Sequence, residues 1–249
     1  MEVPRARIRF YADLAALAAG TDRTGEVDVP VERPRSVKDA VEACGVPHTE
    51  VDLLLVNGDS VGFEARLRPG DRVAAYPPFL ALDIGAVSLV RPAPLPRRFV
   101  LDVHLGRLAE LLRLVGFDTL YANDLDDDDL ATLAVAGPRW LLTRDRGLLM
   151  RRVISHGYLV RASTPRHQLA EVARRFRLAT GLAPLTRCAR CNGLLTAVDK
   201  AAVADRLEQG TRREHDRFAR CTGCGQVYWP GSHAGSLERI VDEVRAQEG

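Results

Sequence analysis

The chain has 249 residues, 46% of them hydrophobic, with 35 Lys+Arg against 33 Asp+Glu. This is enough apolar material for a real core and enough length for one large domain or two to three smaller ones. No stretch reaches 18 uninterrupted apolar residues and the N-terminal residues lack an apolar signal-peptide core, so no membrane span and a cytoplasmic location are expected.

Charge is unevenly spread. Residues 1–96 hold 11 Lys+Arg against 14 Asp+Glu, whereas residues 97–183 hold 14 against 10. The basic middle also contains the acidic run Asp126-Asp127-Asp128-Asp129. A basic surface around an acidic pocket suits a polyanionic substrate. Lys38 and Lys200 are the only lysines, and neither precedes Ser or Thr, which excludes a phosphate loop of the Gly-Lys-Ser/Thr kind.

In chain order, residues 7–11 alternate apolar and polar like a half-buried strand, and Val27, Val29 and Val31 alternate again. Ser36 with Asp39 forms a capping-box pattern that predicts a helix through Val37, Val41 and Cys44, closed by Gly45. Leu53-Leu54-Leu55-Val56 runs into Asn57-Gly58, a two-residue hairpin signal. Pro69-Gly70 turns the chain into Arg72-Val73-Ala74-Ala75-Tyr76. The lone Cys44 reads as a small core residue. This order, with Val56-Asn57-Gly58, Leu67-x-Pro69-Gly70-Asp71-x-Val73 and Tyr76-Pro77-Pro78, resembles the β-grasp, ubiquitin-like sulfur carriers. Those carriers end in an activated Gly-Gly tail. Here Pro77-Pro78 leads into Phe79-Leu80-Ala81-Leu82, so residues 1–80 are expected to act as a docking domain for a protein partner.

Pro92, Pro94 and Pro96 mark residues 81–97 as an extended connector. A strand–helix alternation follows: a strand at residues 99–101, a helix along Leu105, Leu108, Leu111, Leu112 and Val115, and a strand at 117–122. Next come a helix from the Asp run to Ala136, a strand at 140–143, a helix at 148–155, a strand at 158–162 and a helix opened by Thr164-Pro165. This is an α/β domain over residues 98–182.

Asp102 and Asp145 each follow an apolar run at the carboxyl end of an expected parallel strand, where open α/β sheets bind ligands. Two carboxylates in one crevice repel unless a cation lies between them. The acidic run and Asp124 are further sources of ligands, although acids in a helix's first turn also serve to offset its dipole. Magnesium or manganese held by such oxygens can neutralise a phosphodiester and activate water. Arg107, Arg113, Arg144, Arg146, Arg151 and Arg152 are the arginines that could meet an RNA backbone.

Residues 99–152 resemble the PIN-like ribonucleases of the family named for the C-terminal region of the Mut-seven exonuclease. The resemblance lies in Asp102-x-x-Leu105-Gly106-x-Leu108-Ala109, Leu112-Arg113-x-x-Gly116-x-Asp118, Asn123-Asp124-Leu125-Asp126-Asp127 and Leu142-Thr143-Arg144-Asp145-Arg146-x-Leu148. It implies a PIN-like nuclease fold and metal-dependent ribonuclease activity, with Asp127 as the middle catalytic acid between Asp102 and Asp145. Many PIN domains carry another acid where Gly147 stands, which implies weaker metal binding or a single ion.

Cys188-x-x-Cys191 and Cys221-x-x-Cys224 form two knuckles whose four thiolates match a closed, structural zinc site, the alternative being a disulfide or redox pair. The intervening residues are expected to hold a helix near 201–209, making residues 183–249 a zinc ribbon with a C-terminal helix. Cys224-Gly225-x-Val227-Tyr228-Trp229-x-Gly231-Ser232-His233 continues the family resemblance. Tyr228 and Trp229 are expected to pack against the neighbouring domain, with base stacking as the alternative; His233 is a weak phosphate-binding candidate.

The leading reading is a Mg- or Mn-dependent ribonuclease acting on structured RNA such as tRNA or rRNA. The alternative is a non-catalytic RNA- or ribosome-binding adaptor that uses the ubiquitin-like domain for partner docking. A receiver-type phosphoacceptor ranks below both, because no lysine lies between residues 39 and 199.

Overall fold

The computed structural model describes residues 3–229 and 234–248. The strands in chain order are β1 Arg5–Phe10, β2 Glu26–Pro30, β3 Leu53–Val56, β4 Asp59–Ser60, β5 Arg72–Tyr76 and β6 Phe99–Leu101. They continue as β7 Thr119–Leu120, β8 Trp140–Thr143, β9 Gly157–Leu159, β10 Leu195–Val198, β11 Phe218–Cys221 and β12 Val227–Tyr228. The helices are α1 Asp13–Leu17, α2 Val37–Ala43, α3 Gly106–Leu114, α4 Asp127–Ala136, α5 Arg146–Leu149, α6 Pro165–Phe176, α7 Gln209–Glu214 and α8 Ala234–Arg245. The chain divides into two compact units, one of residues 3–94 with 145–159, the other of residues 95–144 with 160–248. Among the described residues, no helix is long and apolar enough to cross a membrane.

The first unit is a mixed five-stranded sheet in the order β2-β1-β5-β3-β4, with β1 and β5 parallel. Strict alternation along β1 buries Ala6, Ile8 and Phe10 and exposes the arginines between them. The capping box that opens α2 forms as the sequence predicts. The Ser36 hydroxyl accepts from the Asp39 N–H, and the Asp39 carboxylate accepts from the Ser36 N–H. Helix α2 buries Val37, Ala40 and Val41 completely, and Cys44 lies in the core, as expected. Asn57 and Gly58 both take positive φ, 54° and 100°, the geometry of the tight hairpin joining β3 to β4. This is the β-grasp arrangement.

The proline-rich stretch is docked on this unit rather than free of it. Buried Asp52 pairs with Arg91 at 2.7 Å and accepts from the Phe79 N–H, while the Ser88 hydroxyl donates to the Asp52 carbonyl. Ile84 and Val90 are buried. The expected helix at 148–155 shrinks to the four residues of α5, and turns carry the chain from there to β9. Tertiary contacts of this segment, described below, override its helical pattern.

In the second unit β6 is central, parallel to β7 on one side and to β8 on the other, with Phe99 opposite both Thr119 and Trp140. All three residues of β6 are buried, as are Leu105, Leu108 and Leu112 along α3. Phe176 from α6 closes the core, 5.2 Å from the Phe99 ring and 5.0 Å from Trp140. Gly116 ends α3 with φ +105°, and a Cβ there would meet the Ala183 carbonyl oxygen at 2.4 Å, so only glycine fits. The antiparallel ribbon β10-β11-β12 follows, with a 3₁₀ segment Lys200–Arg206 and α7 where an inserted helix was expected.

Candidate active site and metal centre

Asp102 leaves the end of β6 and caps the 3₁₀ turn Val103–Leu105. It is 4% exposed. One carboxylate oxygen accepts from the His104 N–H at 2.7 Å. The other accepts from the Arg144 N–H at 3.0 Å and from the Thr143 hydroxyl. A carboxylate offers about four acceptor positions, so three are filled and the group is held in one orientation. Thr143, fully buried at the end of β8, was not singled out from the sequence; its signal is that it is the one hydroxyl in the run Trp140-Leu141-Leu142-Thr143. His104 serves through its backbone, and its ring is exposed.

In the acidic run the roles divide. Asp126 is the N-cap of α4, accepting from the Asp128 and Asp129 N–H groups at 2.9 and 2.8 Å, and Asp129 closes the capping box. Asp127, at the first helical position, is exposed and outside that network, and Asp124 is exposed as well. Asp145 belongs to the first unit and caps α5, accepting from the Gly147 N–H at 2.6 Å. A Cβ at Gly147 would lie 3.1 Å from the same Asp145 oxygen, a tight contact that a small shift of the exposed carboxylate relieves. Among the described residues no three carboxylates gather as closely as the four cysteines do.

The arginines divide too. Arg113 is 4% exposed, and its guanidinium donates to the carbonyls of Thr119, Ala189 and Arg190. Burial lowers its pKa, opposed by Cys188 and Cys191. It is a clamp between α3 and the first cysteine knuckle, which corrects the expectation that it meets RNA. Arg146 donates to the Leu17 and Gly45 carbonyls and is likewise an internal tie. Arg107 is exposed and pairs with Glu110 one turn on. Arg144 and Arg152 are exposed and Arg151 half-buried.

The four sulfurs of Cys188, Cys191, Cys221 and Cys224 lie within 4.8 Å of one another. Cys188 to Cys224 is 3.6 Å and Cys191 to Cys221 is 3.4 Å. A disulfide requires about 2.05 Å, whereas a tetrahedron of about 2.3 Å Zn–S bonds has edges of about 3.8 Å. The cluster therefore fits a structural metal. Burial raises the Cys221 thiol, but the Cys224 and Gly223 N–H groups outweigh it and bring the pKa to about 6. The Tyr228 hydroxyl accepts from the Ala189 N–H and donates to the Cys188 sulfur at 3.0 Å. Trp229 packs on the ribbon's own apolar cluster of Val203, Leu207, Phe218 and Val227. His233, with Gly231 and Ser232, lies outside the described residues.

Asp118 anchors the knuckle to the sheet. It binds Arg139 through both oxygens at 2.9 and 3.1 Å and accepts from the Asn192 side chain at 2.8 Å. Asn192 in turn accepts from the Thr119 N–H. Sequence reading passed over this network, because its partners lie 21 and 74 residues apart.

Residues 97–241 match the family model of the Mut7-C RNAse domain. The chain belongs to the Mut7-C RNAse domain family. Residues 3–83 match the model of the Mut7-C ubiquitin domain. This Mut7-C chain therefore combines a ubiquitin-like β-grasp domain, an α/β nuclease domain and a four-cysteine ribbon, and its function is in general of ribonuclease type. Among solved structures, the crystal structure of SAMP1 from Haloferax volcanii is similar at 25% identity and a TM-score of 0.25, covering 30% of this chain and 96% of that one. No curated protein matches the chain.

Proposed function

We propose that this chain is a metal-dependent ribonuclease that hydrolyses phosphodiester bonds of structured RNA such as tRNA or rRNA. The carrying observation is the buried Asp102 carboxylate, held by three donors at the end of β6 inside a region that matches a ribonuclease family. Asp102, Asp127 and Asp145 are the proposed ligands, with Asp124 as a reserve. Their hard oxygens suit Mg or Mn, which when bound neutralises phosphate charge and activates a water. The chain's own part is positional. The Thr143 hydroxyl and the N–H groups of His104 and Arg144 hold the Asp102 carboxylate in one direction without side-chain searching. Arg107, Arg144, Arg151 and Arg152 are the proposed phosphate contacts, their guanidinium forks matching phosphate oxygens.

We assign zinc to the cysteine cluster, where four thiolates leave no open position and so confine it to structure. We also propose a cytoplasmic location, where thiolates stay reduced and able to hold the metal. The adaptor alternative draws on the missing acid at Gly147, and cleavage by the full chain separates the two readings. The test is RNA cleavage by the full chain with manganese, beside Asp145→Asn. Asp145 is the side chain to change because it is exposed. Manganese-dependent cutting that disappears in the variant is expected. Equal cutting by both proteins, or none by the wild type across a panel of structured RNAs, refutes the proposal.

A further inference from the structure

Within the first unit, the ubiquitin-like fold grips one remote stretch of its own chain, residues 145–159. Arg146 donates through Nη1 to the Leu17 carbonyl at 2.9 Å and the Gly45 carbonyl at 3.3 Å. The His48 ring is 7% exposed and lies between the Glu42 carboxylate at 2.7 Å and the Ile154 carbonyl at 2.8 Å. Glu50, 1% exposed, accepts from the Leu159 N–H at 2.6 Å. Gly157 lies beside Thr49, whose hydroxyl a Cβ there would meet at 3.4 Å.

Burying a glutamate and a histidine is unfavourable unless each finds a specific partner. These two are partnered by backbone groups 109 and 106 residues away. A domain that acted only as a handle for another protein would have no use for such contacts. What the gripped segment carries is Asp145, its first residue. Leu148 and Leu149 are buried behind it, and Arg146 is tied down beside it. Misplacing a reacting group by about 1 Å can cost about a hundredfold in rate, so a four-residue helix with an exposed carboxylate at its start gains from a brace.

We propose that the ubiquitin-like unit is a positioning frame for Asp145, with Arg146, His48 and Glu50 as its positioning residues. This rests on the reading of Asp145 as a metal ligand.

The experiment uses the full chain without RNA. Manganese affinity is measured by electron paramagnetic resonance, and amide hydrogen exchange is followed over residues 145–159. Arg146→Ala and His48→Ala are compared with Asp145→Asn and with Arg7→Ala, which breaks surface pairs with Asp28 and Glu26 on β2. Arg146 is exposed, so its variant carries the test even where His48→Ala does not fold. The positioning role calls for faster exchange in the segment and about tenfold weaker manganese binding, the equivalent of one lost charge-assisted hydrogen bond. Arg146→Lys should recover part of the loss, and Arg7→Ala should leave both readouts unchanged. Unchanged manganese affinity in Arg146→Ala, when Asp145→Asn has lost it, overturns the positioning role alone. Unchanged affinity in Asp145→Asn overturns the reading of Asp145, and this inference with it.

Discussion

Replacing Asp102 with Asn should destabilise the protein. The carboxylate is 4% exposed and accepts three hydrogen bonds, two of them from part-buried backbone N–H groups. An asparagine keeps one acceptor and turns the other into a donor. In either orientation its NH₂ then faces a backbone N–H, that of His104 or that of Arg144. The Thr143 hydroxyl can rotate to accept, but a backbone N–H cannot. One buried donor left unsatisfied costs about 1–3 kcal/mol, and losing the charge from the remaining bonds adds about 1 kcal/mol. Asp102→Asn should therefore cost about 2–4 kcal/mol, and Asp102→Ala, which strands all three donors, should cost more. Urea denaturation followed by tryptophan fluorescence reads this directly. A loss below about 0.5 kcal/mol for Asp102→Asn, the range of an ordinary surface change, would refute the three-donor cradle.

Asp118→Asn tests the anchor of the cysteine knuckle. Burial raises the Asp118 pKa, but its bonds to Arg139 and Asn192 prevail and hold it below the usual carboxylate range. A lowered folded-state pKa means that the contribution is complete above about pH 4 and is lost as pH falls through the folded value. Wild type should exceed Asp118→Asn by about 1–3 kcal/mol at pH 7, with the gap closing in acid; a gap constant down to pH 2.5 contradicts this. For the ribbon, elemental analysis of protein purified without chelator should find about one zinc per chain. Cys221→Ser should lose it, and zinc-free wild type would overturn the assignment.

Local rules were legible in the sequence wherever one residue type has few physical uses. Ser36 with Asp39, Asn57-Gly58 and the two Cys-x-x-Cys pairs each led to the observed structure, because capping, positive φ and soft metal ligation tolerate few alternatives. Asp102 at a strand end was legible for the same reason, although its donors were not. Arginine was the misleading residue. Arg113 looked like a phosphate contact but is buried and binds backbone carbonyls within the protein, and a side chain with five donors serves either purpose. The docking of residues 79–93 and the grip on residues 145–159 depend on Asp52, His48 and Glu50. These meet partners from 27 to 109 residues away, a range at which hydrophobic periodicity carries no information.

The most direct measurement for the metal-dependent ribonuclease is anomalous diffraction at the manganese edge from crystals of the full chain soaked in manganese. One anomalous peak coordinated by Asp102, Asp127 and Asp145 is the expected result. A fully exchanged crystal with no peak at these carboxylates, or with manganese held by other side chains, would contradict it.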